Sequence, residues 1–246
     1  MKFFIGGTYK DLSRKAAADV IKLMQKRKYP VICTASGDSP SGLYKVLVDK
    51  NAGGFLDTTN WNFVGLDEWV GLNGEDEGSC RFHLDNEIFN PLKITKDRIC
   101  FFNGRAITLQ KECENVENFI QKNGGLDIVI VGLGLNGHVG MNEPGTAKTA
   151  RAHVTVLDDI TKQTGQKYFK NEQPLKDGIT LGLETIMEAK NILLIVSGAH
   201  KAAIVKQVIE GEISDAVPAS LFRNHPGLRI YLDTESAALL SEENYF

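Results

Sequence analysis

Residues 126–145 read Leu126-Asp127-Ile128-Val129-Ile130-Val131-Gly132-Leu133-Gly134-Leu135-Asn136-Gly137-His138-Val139-Gly140-Met141-Asn142-Glu143-Pro144-Gly145, and this stretch decides the fold class. Ile128 to Val131 form an unbroken apolar, β-branched run, the pattern of a strand covered on both faces in a parallel sheet. The run stops at Gly132. A glycine-punctuated loop then carries Asn136, His138, Asn142 and Glu143. Ligands of open parallel sheets bind just beyond the carboxyl ends of the strands, so this loop has the address of a site. An imidazole and a carboxylate in one such loop can form an oriented base. The plainer reading is a glycine-rich turn with one solvated histidine, but four polar groups behind a buried strand favour a site.

Gly132, Gly134 and Gly137 also spell G-x-G-x-x-G after a strand, and Asp158 follows near the spacing of a dinucleotide-binding fingerprint. That fingerprint needs a helix at the third glycine to aim its amides at a pyrophosphate. Gly140, Pro144 and Gly145 interrupt the segment, and proline inside a helix costs about 3 kcal/mol. The next strand candidate, His153 to Leu157, arrives too soon for a crossover helix. A nicotinamide or flavin site is therefore not expected.

Outward from this stretch, Phe3–Ile5, Val31–Thr34, Trp61–Leu66, Arg98–Phe102, Ile192–Ser197 and Leu228–Leu232 read as strands, with His153–Leu157 as an edge-like one. Between them, helical spacing covers a segment capped by Asp11 or Ser13 and running to about Arg27, one through Val48, one from Ser79 to Phe89, and Leu109–Ile120. Further helices run from Asp158 or Asp159 to about Phe169, around Ile186, over 200–209 and over Glu235–Leu240. Gly178–Leu183 read as the lead into the helix near Ile186. Alternation of this kind predicts an α/β fold with a doubly wound, mostly parallel sheet, a Rossmann-like three-layer sandwich in which 1–246 form a single domain. The loops 35–42, 67–72, 132–145 and 198–201 lie at strand carboxyl ends and could share one pocket.

Three of these loops carry chemistry of their own. Ala35-Ser36-Gly37-Asp38-Ser39-Pro40-Ser41-Gly42 joins a buried strand to a helix start, where amides and hydroxyls can converge on an anion, or it is an ordinary turn. Asp67-Glu68-Trp69 puts two carboxylates at a strand end beside an aromatic ring, as a general base or as helix caps. Lys201 sits at a helix start, against the dipole preference, which suits a bound anion as well as a solvated surface lysine.

The chain has 246 residues, of which 42% are hydrophobic and 24% charged, with a net charge of −3. This composition supports a full core and implies neither a broad cationic face for nucleic acid nor membrane association. No apolar run approaches the roughly 20 residues of a membrane span. Cys33, Cys80, Cys100 and Cys113 fit no zinc spacing, so no metal site is expected; Cys33 and Cys100 sit in apolar runs as buried thiols. A reduced, cytoplasmic protein is the expectation.

Three motifs carry a resemblance. Leu66-Asp67-Glu68-Trp69-Val70-Gly71-Leu72, then Gly132–His138 with Asn142-Glu143-Pro144-Gly145, and Ser197-Gly198-Ala199-His200-Lys201-Ala202 resemble the glucosamine-6-phosphate deaminase/isomerase family. The likeness runs from the 35–42 loop to Pro218-Ala219-Ser220. Gly124-Gly125-Leu126-Asp127, Asp67-Glu68-Trp69 and Gly178–Gly182 are closer to its galactosamine-6-phosphate isomerase branch. The resemblance implies cofactor-free conversion of an amino-sugar 6-phosphate to a ketose 6-phosphate and ammonia, in amino-sugar catabolism. It implies that His138, oriented by Glu143 and Asn136, opens the pyranose ring, and that Asp67 moves a proton from C2 to C1. It implies a phosphate held by Ser36, Gly37, Asp38 and Ser39 with Lys201. It leaves the chain a monomer or a small homo-oligomer. In three places the chain departs from the family pattern. Asn136 stands where many members have Asp, Lys167 where a phosphate-binding Arg is usual, and Asp38 where a small residue is common. They imply a less basic shuttle, a point charge in place of a bidentate fork, and an Asp38 carboxylate turned away from the phosphate.

Two alternatives remain at this level. A 6-phosphogluconolactonase-type hydrolase has a similar Gly-His loop but needs no C2 base. A non-catalytic sugar-phosphate sensor would usually lose the acid–base residues and add a DNA-binding helix pair, whereas this chain keeps Asp67, His138 and Glu143 and starts directly with Met1–Phe3.

Overall fold

The structure is a computed structural model that describes residues 1–241. The elements in chain order are β1 (Lys2–Gly6), α1 (Tyr9–Met24), β2 (Val31–Thr34), α2 (Asp38–Ala52), β3 (Asn62–Gly65), β4 (Asp67–Trp69), α3 (Cys80–Leu84), β5 (Ile99–Cys100) and α4 (Leu109–Lys122). They continue with β6 (Ile128–Val131), β7 (His153–Val156), α5 (Asp159–Gly165), β8 (Asp177–Thr180), α6 (Leu183–Met187), β9 (Ile192–Val196), α7 (Ala202–Glu210) and β10 (Leu228–Asp233). Seven strands form one sheet in the order β1-β10-β9-β6-β2-β3-β5, and every neighbouring pair in it is parallel.

The alternating side chains of the central strands explain the three layers. Val129 and Val131 face a core that includes Cys113, Val116, Ile186 and Val205, whereas Ile128 and Ile130 face Leu12, Ala16, Leu43 and Leu47. Strand β9 divides in the same way, with Leu194 and Val196 on the first side and Leu193 and Ile195 on the second. A strand apolar at every position can only satisfy both faces by lying between two helical layers.

Several local expectations are corrected. Helix α1 is capped by Thr8, whose Oγ1 accepts from Asp11 N at 3.2 Å, and not by Asp11 or Ser13. Ser13 lies inside the helix and donates to Tyr9 O at 2.7 Å. The segment Arg98–Phe102 contributes only Ile99 and Cys100 as strand, because a 3-10 turn takes Lys96–Arg98. Cys100 is half-buried, while Cys33 is fully buried. Glu235–Leu240 form turns and not a helix. Asp233 Oδ1 captures Ser236 N at 2.8 Å there, a local bond that competes with helical pairing.

The largest correction is a second sheet. Asp67–Trp69, read as loop, is strand β4; Gly178–Thr180, read as the lead into a helix, belongs to β8; and His153–Val156, read as an edge of the main sheet, is β7. They pair antiparallel in the order β4-β8-β7. Their partners are far apart in sequence, and short glycine-flanked segments carry no local sign of such pairing.

Candidate active site

Loops at the carboxyl ends of β2, β6 and β9, together with β4, line a cavity of about 480 Å³. Ser36, Gly37, Asp38 and Ser39 contribute one wall, Asp67 and Trp69 another, and Gly132–Leu135 with His138 a third. Lys201 and His200 enter from the turn before α7. Residues that the sequence did not single out complete the lining: Thr161, Thr164 and Gly165 of α5, with Tyr168 beside Lys167, and Cys80.

Strand geometry separates the two acidic neighbours. Successive side chains of β4 point to opposite faces. Asp67 and Trp69 therefore meet the cavity, and Glu68 turns away from it. Glu68 is fully buried and accepts from Trp69 N, Cys80 N and Arg81 N, each at 2.9 Å. It anchors the start of α3, where Ser79 caps Phe82 N at 3.0 Å. Burial pushes the Asp67 carboxyl up from 3.8 to about 7, with a weak opposing hydrogen bond from the Cys80 thiol. A carboxyl poised there gives or takes a proton near neutral pH.

His138 is held from behind. Asn136 Oδ1 lies 2.7 Å from His138 Nδ1, and Asn136 Nδ2 donates to Glu143 Oε2 at 3.0 Å. Because the amide nitrogen must face the carboxylate, its oxygen meets the imidazole. Nδ1 then carries the proton and Nε2 keeps a free lone pair. Glu143 Oε2 itself is 3.6 Å from Nδ1, and Thr161 Oγ1 is at 3.1 Å. Asp158 N donates to Glu143 Oε1 at 3.2 Å and fixes the carboxylate in turn. Burial lowers the imidazole's pKa, against the pull of Glu143, so His138 is neutral near pH 7. Asn136 and Glu143 thus stand behind His138 and do not line the cavity.

Gly134 of this loop serves the histidine. A Cβ on Gly134 would collide with the His138 ring. Residues 132–152 contain turns and one isolated bridge, Val139 with Asn142, so no helix follows the G-x-G-x-x-G run. Asn142 is fully buried, and its Nδ2 ties the loop to Val139 O at 2.9 Å and Leu181 O at 2.8 Å.

Gly37, Asp38, Lys167 and Lys201 line another part of the cavity. Gly37 precedes α2 with φ 102°, a conformation suited to glycine, and a Cβ there would lie 2.9 Å from Tyr168 Oη. Tyr9 Oη donates to Asp38 O at 2.6 Å and accepts from Gly42 N at 2.7 Å, fixing the first turn of α2. Lys201 Nζ donates to Leu133 O at 2.6 Å; burial, and then Lys167, pull its pKa down to about 8. Asp38 does not turn away from the cations. Its Oδ2 sits 2.6 Å from Lys167 Nζ. Burial works against the Lys167 charge, but the Asp38 hydrogen bond and charge together with Tyr168 outweigh it and raise the pKa above its ordinary value.

Among the described residues, no three His, Cys, Asp or Glu side chains converge to hold a metal ion, and no helix is long and apolar enough to cross a membrane.

Residues 7–230 match the family model of glucosamine-6-phosphate isomerases/6-phosphogluconolactonase. A glucosamine-6-phosphate deaminase of Thermoanaerobacter pseudethanolicus is 36% identical over 245 residues, 99% of this chain and 97% of the relative. Glucosamine-6-phosphate deaminase 1 of Bacillus subtilis is 35% identical over 97% of this chain and 99% of its own length. Among solved structures, a monomeric glucosamine-6-phosphate deaminase of the NagB superfamily superposes with a TM-score of 0.94 at 34% identity, covering 98% of this chain and all of that one, 100%. The 6-phosphogluconolactonase of Trypanosoma brucei shares the fold at a TM-score of 0.77 and 19% identity, with 98% of each chain covered.

Proposed function

Because the chain belongs to the glucosamine-6-phosphate isomerase/6-phosphogluconolactonase family, we propose that it is an aldose–ketose isomerase/deaminase that converts an amino-sugar 6-phosphate to the ketose 6-phosphate and ammonia. One observation carries this reading. A carboxylate poised near pH 7, a neutral imidazole and a cationic anion-binding wall face the same cavity.

The chemistry follows from those groups. The phosphate rests on the first-turn amides of α2 and the hydroxyls of Ser36 and Ser39, with Lys201 and Lys167 as counter-charges. His138, whose free Nε2 accepts a proton, takes the O1 proton of the pyranose and returns one to the ring oxygen, which opens the ring to the aldehyde. Glu143 and Asn136 hold the imidazole and stabilise its charged form as it appears. Asp67 removes the acidic proton from C2 and delivers it to C1, while one proton of the C2 ammonium passes to O1, so the aldehyde becomes an alcohol. The resulting C2 iminium takes up water and releases ammonia. Every step moves protons or water, and remote phosphate binding holds C1 and C2 against Asp67.

The relatives named as glucosamine-6-phosphate deaminases support the amino sugar over the lactone; the lactonases at 15–20% identity share the fold alone. They also favour glucosamine over galactosamine. Most residues behind the galactosamine likeness are structural. Gly124 and Gly125 turn the chain after α4, and Asp127 receives Val31 N at 3.0 Å and Lys190 Nζ at 2.8 Å. Of that set, only Asp67 and Trp69 reach the cavity.

Ammonia release from glucosamine 6-phosphate and galactosamine 6-phosphate, measured side by side without added cofactor, tests the reading. Release from at least one supports it and identifies the sugar. Release from neither, with hydrolysis of 6-phosphogluconolactone instead, overturns it.

A further inference from the structure

The pair between Asp38 and Lys167 joins two walls of the cavity that are 129 residues apart in sequence. Both side chains remain partly open to solvent, so the pair is not a buried strut. Lys167 lies on the turn after α5, and that turn is already fixed without Asp38. Tyr168 packs edge-on against His83 at 5.9 Å, and Phe169 against Trp69 at 6.3 Å. Asp38 is likewise placed by the first turn of α2 and by the Tyr9 hydroxyl on its own carbonyl. An exposed ion pair adds about 0–1 kcal/mol to stability, so this one has little structural work to do.

Its position has a larger effect on binding. The wall that is to hold a phosphate contains two ammonium groups, Lys167 and Lys201, and one carboxylate already bonded to the first. Lys201 feels both, through repulsion from Lys167 and attraction to Asp38. Resting on the phosphate reading above, we propose that Asp38 is a built-in counter-anion: it neutralises Lys167 in the empty site, must surrender it to the incoming phosphate, and thereby sets a deliberately weak phosphate affinity. The exchange swaps one anion for another on Lys167, so Lys167 contributes only the difference between a phosphate and a carboxylate. The displaced Asp38 carboxylate then stays near the bound dianion and repels it. Products leave with the same phosphate, so the same residue speeds their release.

Inorganic phosphate is the probe, because it reads the anion wall without the sugar chemistry. Its dissociation constant by calorimetry, and its inhibition constant against the amino-sugar phosphate, are compared for wild type, Asp38→Asn and Asp38→Glu at fixed ionic strength. Removing the charge is expected to tighten phosphate about threefold to fivefold and to lower KM by a similar factor, the scale of one screened charge pair. Asp38→Glu keeps the charge and is expected to stay within about twofold of wild type. A merely structural Asp38 would give the opposite sign, with weaker binding in Asp38→Asn and partial rescue in Asp38→Glu. Unchanged or weaker phosphate binding in Asp38→Asn overturns the proposal. Wild type that binds no phosphate at all removes the phosphate wall itself, and the exchange with it; that result is distinct from the first, because it appears before any variant is made.

Discussion

At the residue scale, the roles divide by what each side chain faces. Asp67 and Glu68 are adjacent and both carboxyls are pushed up to about 7 by burial, yet only Asp67 reaches the cavity. Asp67→Asn is expected to cut kcat by about a thousandfold, the middle of the range for a lost acid–base group, while KM stays within a few-fold; ammonia release checks it, and near-normal turnover would remove Asp67 as the base. Lys201→Ala is expected to raise KM about tenfold or more with a smaller loss of kcat, since it removes a charge from the phosphate wall and not from the reacting carbons. The roles proposed for the two groups also predict a pH profile. Asp67 must be ionised, so kcat/KM falls as the pH drops below about 7. Lys201 must be charged, so kcat/KM falls again above about 8. Bound phosphate stabilises the ammonium, so the alkaline limb should fade from kcat alone. A kcat/KM profile flat from pH 6 to 9 would contradict both assignments.

At the element scale, β4 is the piece that joins chemistry to architecture. Three residues pair with β8, deliver Asp67 to the cavity and send Glu68 into the start of α3. Glu68→Ala would leave three backbone N–H groups, two of them buried, without their acceptor, and is expected to cost about 2–4 kcal/mol of stability in urea unfolding. A loss below about 0.5 kcal/mol would mean that water replaces the carboxylate fully. The sequence around β4 showed two carboxylates at a strand end and the resemblance pointed to Asp67, but the residues themselves did not say which of the two would face a cavity. That choice depends on strand alternation in a sheet whose partners lie more than a hundred residues away, so no local pattern encodes it.

At the scale of the whole molecule, the buried titratable groups couple activity to stability. Asp67 and Glu68 have folded pKa values of about 7, above their ordinary 3.8 and 4.5. The folded protein therefore binds more protons than the unfolded chain between those values, and these groups make stability rise as the pH falls from 8 towards 5. His138 acts in the opposite sense, because its pKa is lowered by burial and the unfolded chain takes up that proton first below about 6.5. Glu68→Gln removes one contribution, so its stability relative to wild type is expected to improve between pH 5.5 and pH 8. Urea unfolding at the two values measures the difference, and a constant offset would show that Glu68 is not protonated in the fold at the lower pH.

The β-branched run Ile128–Val131, its glycine loop and the alternation of apolar strands with amphipathic helices determined the three-layer parallel fold and the edge of the sheet where a site would lie, because burial on both faces and helix periodicity are written in local sequence. The same loop named His138, Asn136 and Glu143, since residues seven apart or fewer in a glycine turn stay close in space. Only the tertiary structure decided the second sheet, the separation of Asp67 from Glu68, the place of Thr161 against His138, and the pairing of Asp38 with Lys167. Those depend on contacts between segments far apart in the chain, and a contact of that kind is set by how the layers pack and not by the residues on either side of it.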